Sequence, residues 1–133
     1  MFDLHKKNVL ITGASGGIGS VIAKTLNSAG ANVALTGTRN ETLKELASEL
    51  GENAHVLLCD LSDMAAVDEL PKRAVEILGS VDILVNNAGI TRDNLLMRMS
   101  DDEWQSVIDI NMTATMKLCK SVLRGMMKAR WGR

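Results

Sequence analysis

The segment Thr12-Gly13-Ala14-Ser15-Gly16-Gly17-Ile18-Gly19 gathers small residues between a short apolar run, Asn8 to Ile11, and a stretch from Ile18 to Ala29 whose apolar residues recur at helical spacing. Such a strand-turn-helix junction brings backbone amides and the positive end of a helix together, which suits an approaching diphosphate. Gly13, Gly17 and Gly19 are the residues that permit a close approach. A glycine-rich turn alone is weak evidence, and its place directly after a first strand is what favours a dinucleotide. No Gly-Lys-Ser/Thr follows, which argues against a P-loop.

Further polar residues fall at the ends of later apolar runs. The second run ends in Thr36-Gly37-Thr38-Arg39, where an enzyme using NAD usually carries an acidic residue for the ribose 2'-hydroxyl. Arginine there suits a 2'-phosphate, although a solvated loop cation is the plainer reading. The third run ends in Asp60-Leu61, and Asp60 is equally suited to accept from an adenine amino group or to cap the helix behind it. The fourth ends in Asn86-Asn87-Ala88-Gly89-Ile90, whose amides can brace strands or a ligand. A later helical stripe, Trp104, Val107, Asn111, Ala114, Leu118 and Val122, contains a single amide, Asn111, for which structural and functional roles are equally open.

The elements that must position these residues alternate. Val33 to Leu35 precedes Glu41 to Leu50, Ala54 to Cys59 precedes Met64 to Leu78, and Val81 to Val85 precedes a longer segment. Strands alternating with helices predict parallel pairing, right-handed crossovers and a doubly wound α/β sheet, with ligands beyond the strands' C-terminal ends. Pro71 predicts a kink or a late restart near Leu70. Ser100 and Glu103 form a capping-box pattern that predicts a long helix after them.

Composition bounds the rest. A chain of 133 residues with 46% hydrophobic and 23% charged residues is one globular domain with a real core. Its formal charge of -1 offers no global attraction to nucleic acid or anionic lipid, so neither is expected as a partner. Cys59 and Cys119 read as buried small hydrophobes rather than metal or redox groups, no metal site is expected, and the default setting is the reduced cytoplasm. Met97, Met99, Met112, Met116, Met126 and Met127 read as packing or subunit contacts before a flexible acyl surface, and His5 and His55 lack triad partners.

Taken together, the turn from Thr12 to Gly19, Asp60, Asn86-Asn87-Ala88-Gly89 and Asn111 resemble the short-chain dehydrogenase/reductases along the whole chain. Gly89 to Met99 and Met126-Met127-Lys128-Ala129-Arg130 look most like the bacterial 3-oxoacyl-[acyl-carrier-protein] reductase branch of that family. The resemblance implies a Rossmann-type domain, the N-terminal portion of a longer enzyme, spanning residues 1–133. It implies NADP(H) as cofactor, with Gly13, Ala14, Ser15, Gly16, Gly17, Ile18 and Gly19 around the pyrophosphate. Thr38 and Arg39 would then face the 2'-phosphate, Asp60 and Leu61 the adenine, and Asn87, with Ala88 and Gly89, the ribose side.

The resemblance also assigns Asn111 to a catalytic tetrad, holding a water in a proton relay while Ser, Tyr and Lys act on a carbonyl. This sequence has no tyrosine and ends at Arg133, so the chain alone is expected to lack the proton donor and turnover. Gly16 stands where many NADPH-using relatives carry a basic residue, leaving Arg39 to serve alone. The basic cluster of Lys120, Arg124, Lys128, Arg130 and Arg133 suits docking of an acyl carrier protein, Arg130 and Arg133 above all, or is simply a solvated face. A homotetramer is expected of the complete family member. Competing readings are a fragment of another alcohol or sugar dehydrogenase and a non-catalytic dinucleotide-binding module.

Overall fold

Four apolar runs become four parallel strands in the computed structural model, which describes residues 3–133. They are β1 (Asn8–Ile11), β2 (Asn32–Gly37), β3 (Ala54–Leu58) and β4 (Ile83–Val85), in the spatial order β3-β2-β1-β4. The chain steps outward from β1 to β3 and then returns to the other side of β1. That reversal opens a crevice beyond the C-terminal ends of β1 and β4.

Side chains alternate across the sheet, and both faces are covered. Val9, Ile11, Val33 and Leu35 face Ala23 of α1 (Gly17–Ser28) and Leu43 and Leu46 of α2 (Asn40–Leu50). Leu10, Ala34 and Leu57 face Val67, Leu70 and Ala74 of α3 (Met64–Leu78), together with residues of the last helix. Doubly buried strands explain why the runs are continuously apolar rather than alternating. The doubly wound parallel architecture follows as expected.

Of the two outcomes expected at Pro71, the late restart does not occur. Helix α3 runs through it from Met64 to Leu78 with no restart near Leu70. Leu70, Pro71 and Ala74 are buried together, and this packing holds the helical path that an isolated helix would abandon at proline.

The last helical segment is long but not uniform. Helix α4 (Asp101–Ile108) leads through a π-helical turn at Asp109–Thr113 into α5 (Ala114–Ala129), with the Ala114 N–H donating to the Asp109 carbonyl. Only the second half of the expected apolar stripe is buried: Ala114, Leu118 and Val122 pack on the sheet, whereas Trp104 is 59% exposed. Helix α4 buries no residue because its main packing neighbour is the π turn itself, with no sheet beneath it. After α5, Arg133 runs beside β4, its N–H donating to the Asp82 carbonyl and its own carbonyl accepting from the Leu84 N–H. No helix among the described residues is long and apolar enough to cross a membrane.

Candidate functional site

The glycine turn is shaped by contact with the β4 loop. Gly13 has φ +65°, and a Cβ there would meet the Ala88 Cα and the Asn87 Nδ2 at 2.9 Å. A Cβ on Gly19 would run into the Gly13 carbonyl and lie 2.7 Å from the Asn87 Nδ2. Both positions therefore exclude any larger residue. Gly17, by contrast, meets nothing within 4 Å, so its bareness leaves the approach to the helix end open. Helix α1 starts there with no side-chain cap and no acidic residue in its first turn, which leaves its first amides for an outside acceptor.

Not every residue of the turn is free to act. The Ala14 N–H donates to the Thr36 carbonyl at 2.9 Å and that of Gly16 to the Gly13 carbonyl at 3.1 Å, so these two amides hold the turn in shape. Ile18 faces outward, 74% exposed.

Asn87 works as a brace. Its Nδ2 donates at 3.1 Å to both the Thr12 and the Gly13 carbonyls. The Thr12 hydroxyl in turn donates to the Val85 carbonyl and accepts from the Asn87 and Ala88 N–H groups. The end of β4 is thus laced to the end of β1, which fixes the width of the crevice. Both Nδ2 donors of Asn87 are spent on main chain, which leaves its Oδ1 as the side-chain atom facing other uses. Asn86 turns the other way, donating to the Cys119 sulfur.

Across the crevice, Gly13, Ser15, Thr38, Asp60, Leu61, Ala88 and Gly89 line one cleft of about 180 Å³. Arg39 stands at its rim and donates to the Ser15 carbonyl, which ties the β2 end to the glycine turn. Asp60 is not the helix cap: Asp63 is, accepting from Ala65 and Ala66 at 3.0 and 3.2 Å. Asp60 instead accepts from the Ser62 hydroxyl and N–H through one oxygen, and those bonds hold its carboxyl below the usual carboxylate range. It stays ionised with its second oxygen uncommitted among the described residues.

Sequence reasoning missed Thr36, Gly37, Cys59, Ile90 and Ile110, which also line the cleft. Their membership follows from pairing and crossover geometry, and no local pattern announces it. Burial pushes the Cys59 thiol up, in keeping with an inert core residue. Cys119 is exposed, contrary to expectation, because it lies on the outer side of α5.

Asn111 lies in the π turn, where such irregularities often accompany function. Its Oδ1 accepts from the Ile90 N–H and its Nδ2 donates to the Ile90 carbonyl, both at 2.8 Å. The side chain is therefore a reciprocal clamp on the crevice loop. One N–H of Nδ2 and one lone pair of Oδ1 remain beyond this pair of bonds.

Other candidates lie elsewhere. Arg130 closes α5 in the left-handed conformation, φ 54°, and Arg133 lies near the Trp131 ring, 5.5 Å from its centroid. Met97, Met112, Met116 and Met127 are exposed and do not pack within this chain, which leaves the subunit-contact half of the expectation for them, whereas Met126 packs against the core. A larger groove of about 740 Å³ between α3 and α5, floored by Pro71, Val81 and Val122, holds none of the site residues. No cluster of three metal-ligating residues occurs among the described residues.

A model of the short chain dehydrogenase family matches residues 7–133. Nodulation protein G of Rhizobium sp. (strain N33) is 47% identical over 133 residues, covering 100% of this chain and 54% of the relative. The 3-oxoacyl-[acyl-carrier-protein] reductase FabG of Salmonella typhimurium is 48% identical over 127 residues, 96% of this chain and 52% of its own length. The chain thus spans about half the length of the curated relatives it matches. A blue fluorescent protein from a metagenomic library, solved in complex with NADPH, superposes with a TM-score of 0.88 at 31% identity, over 92% of this chain and 52% of that one. With a family match over nearly its whole length on a parallel sheet whose crevice carries the glycine turn, the chain belongs to the short chain dehydrogenase family.

Proposed function

We propose that these residues form the nucleotide-binding part of an NADPH-dependent reductase acting in the cytoplasm on a 3-oxoacyl thioester. The observation that carries the reading is the cradle at Gly13 and Gly19, where no Cβ fits, beside a first turn of α1 that has no cap. The residues fit a dinucleotide: the open approach at Gly17 suits a diphosphate, and a fully buried hydroxyl without a partner, Thr36 Oγ1, lies along the cleft.

On this reading the amides of Ser15, Gly17, Ile18 and Gly19 receive the diphosphate. Thr38 and Arg39 meet the 2'-phosphate, Asp60 and Leu61 the adenine, and Ala88, Gly89 and Ile90 wall the crevice. When bound, the cofactor supplies a hydride. Asn111 is a positioning residue that acts through Ile90, since its amide holds that loop from both sides.

The thioester substrate rests on the loop from Gly89 to Met99 and on similarity to a reductase named for acyl carrier protein. Similarity of the same order to nodulation protein G makes a reductase of another substrate the second reading. Acyl carrier protein would dock on Arg130 and Arg133, and the exposed methionines Met112, Met116 and Met127 of the π turn and α5 would meet neighbouring subunits of a homotetramer.

The test is a binding titration with NADPH and NADH. NADPH should bind more tightly, and Arg39→Ala should weaken NADPH about tenfold, equivalent to about 1.4 kcal/mol, while sparing NADH. Equal wild-type affinity for the two nucleotides would remove the NADP(H) assignment.

A further inference from the structure

Thr36 is the one buried side chain among the described residues whose polar atom has no hydrogen-bond partner. It is fully buried, 0% exposed. Two nearby polar groups are occupied elsewhere: the Thr12 hydroxyl is bonded to the β4 end, and the Thr36 carbonyl accepts from Ala14. The alternation of β2 explains where it points. Ala34 packs toward α3 and α5, Leu35 toward α1 and α2, so Thr36 returns to the α3 and α5 side. There it joins Thr38, Asp60, Leu61 and Ile110 in lining the cleft.

A bare buried hydroxyl is a standing cost that valine, of the same shape, would remove. Violations of this kind concentrate where a ligand completes the bonding. Resting on the nucleotide reading above, we infer that Thr36 is a further nucleotide-positioning residue, its hydroxyl completed by the adenosine half of the dinucleotide, directly or through one water. A hydroxyl can donate and accept, so it can serve either a ring nitrogen or a ribose oxygen. Its placement between the ends of β2 and β3 selects adenosine over the nicotinamide half, because the residues around it are Thr38, Asp60 and Leu61.

The experiment compares Thr36→Val and Thr36→Ser with wild type in the full chain, by thermal melting without nucleotide and by titration with NADPH and with 2',5'-ADP. Thr36→Val should melt about 2–5 °C higher in the absence of nucleotide. It should bind both nucleotides about three- to tenfold more weakly, by the same factor for each. Thr36→Ser, which keeps the hydroxyl, should bind like wild type. Unchanged affinity of Thr36→Val for both nucleotides overturns the inference and leaves the nucleotide reading intact. A loss confined to NADPH overturns it too, since the contact would then lie outside the adenosine half. A wild-type chain that melts cooperatively yet binds neither nucleotide refutes the nucleotide reading and this inference with it.

Discussion

Asn87→Ala separates a brace from a ligand contact. The Asn87 amide donates at 3.1 Å to the Thr12 and Gly13 carbonyls, and Thr12 is 1% exposed, so water cannot replace the lost donor at that carbonyl. Stranding one buried acceptor costs about 1–3 kcal/mol, and losing the second bond, at a half-buried glycine, adds about 0.5–1 kcal/mol. The main-chain N–H of Asn87 keeps its own bond to the Thr12 hydroxyl in the variant. A total near 2–3 kcal/mol is a large share of the roughly 5–15 kcal/mol that holds a domain together. Melting without nucleotide should therefore fall by roughly 10 °C, and the urea midpoint should drop with an unchanged slope. Asn87→Asp should be worse than Ala, because it sets a carboxylate oxygen against the same two carbonyls. An Asn87→Ala chain that keeps its unfolding free energy within about 0.5 kcal/mol but loses NADPH affinity would refute the brace and favour the ribose contact.

Two further outcomes follow from the ends of the last helix. Glu103 accepts from the Ser100 N–H, and this bond, with help from Asn94, holds its carboxyl below the usual range. The stabilisation is therefore complete above the ordinary glutamate pKa and is lost only as pH falls through the lowered folded value. Hydrogen exchange in α4 should accelerate below the ordinary carboxylate range, and Ser100→Ala should cost about 1 kcal/mol at neutral pH; an α4 insensitive to both would remove the box as a determinant. Arg130 adopts the left-handed conformation that favours glycine, so Arg130→Gly should raise stability by about 0.5–1 kcal/mol in urea unfolding. If Arg130 also docks a carrier, the same variant should use carrier-linked substrate less well than a small thioester, and equal use would discard the docking role.

What the sequence determined is what local spacing can specify. β1 from Asn8 to Ile11 and α3 from Met64 to Leu78 fall where their apolar periodicity ends, and the Ser100–Glu103 box forms because both partners lie within one turn. The glycine turn was legible because only glycine tolerates the backbone at Gly13 and the crowding at Gly19. Tertiary structure decided the lengths of paired strands. β2 extends to Asn32–Gly37 because β1 and β3 flank it, whereas β4 shrinks to Ile83–Val85 and leaves Val81 in the core without a ladder.

It also decided the partners of each polar side chain. Asp63 took the cap that Asp60 was equally able to make, Asn87 spent its donors on β1, and Asn111 closed on Ile90 across 21 residues. The burial of Pro71 kept a helix that its own backbone disfavours, and the buried, partnerless hydroxyl of Thr36 exists only because two other strands enclose it. Periodicity records which face a residue shows, a property of the local chain. Which group it meets there depends on segments distant in sequence, and those distances are set only once the sheet has closed.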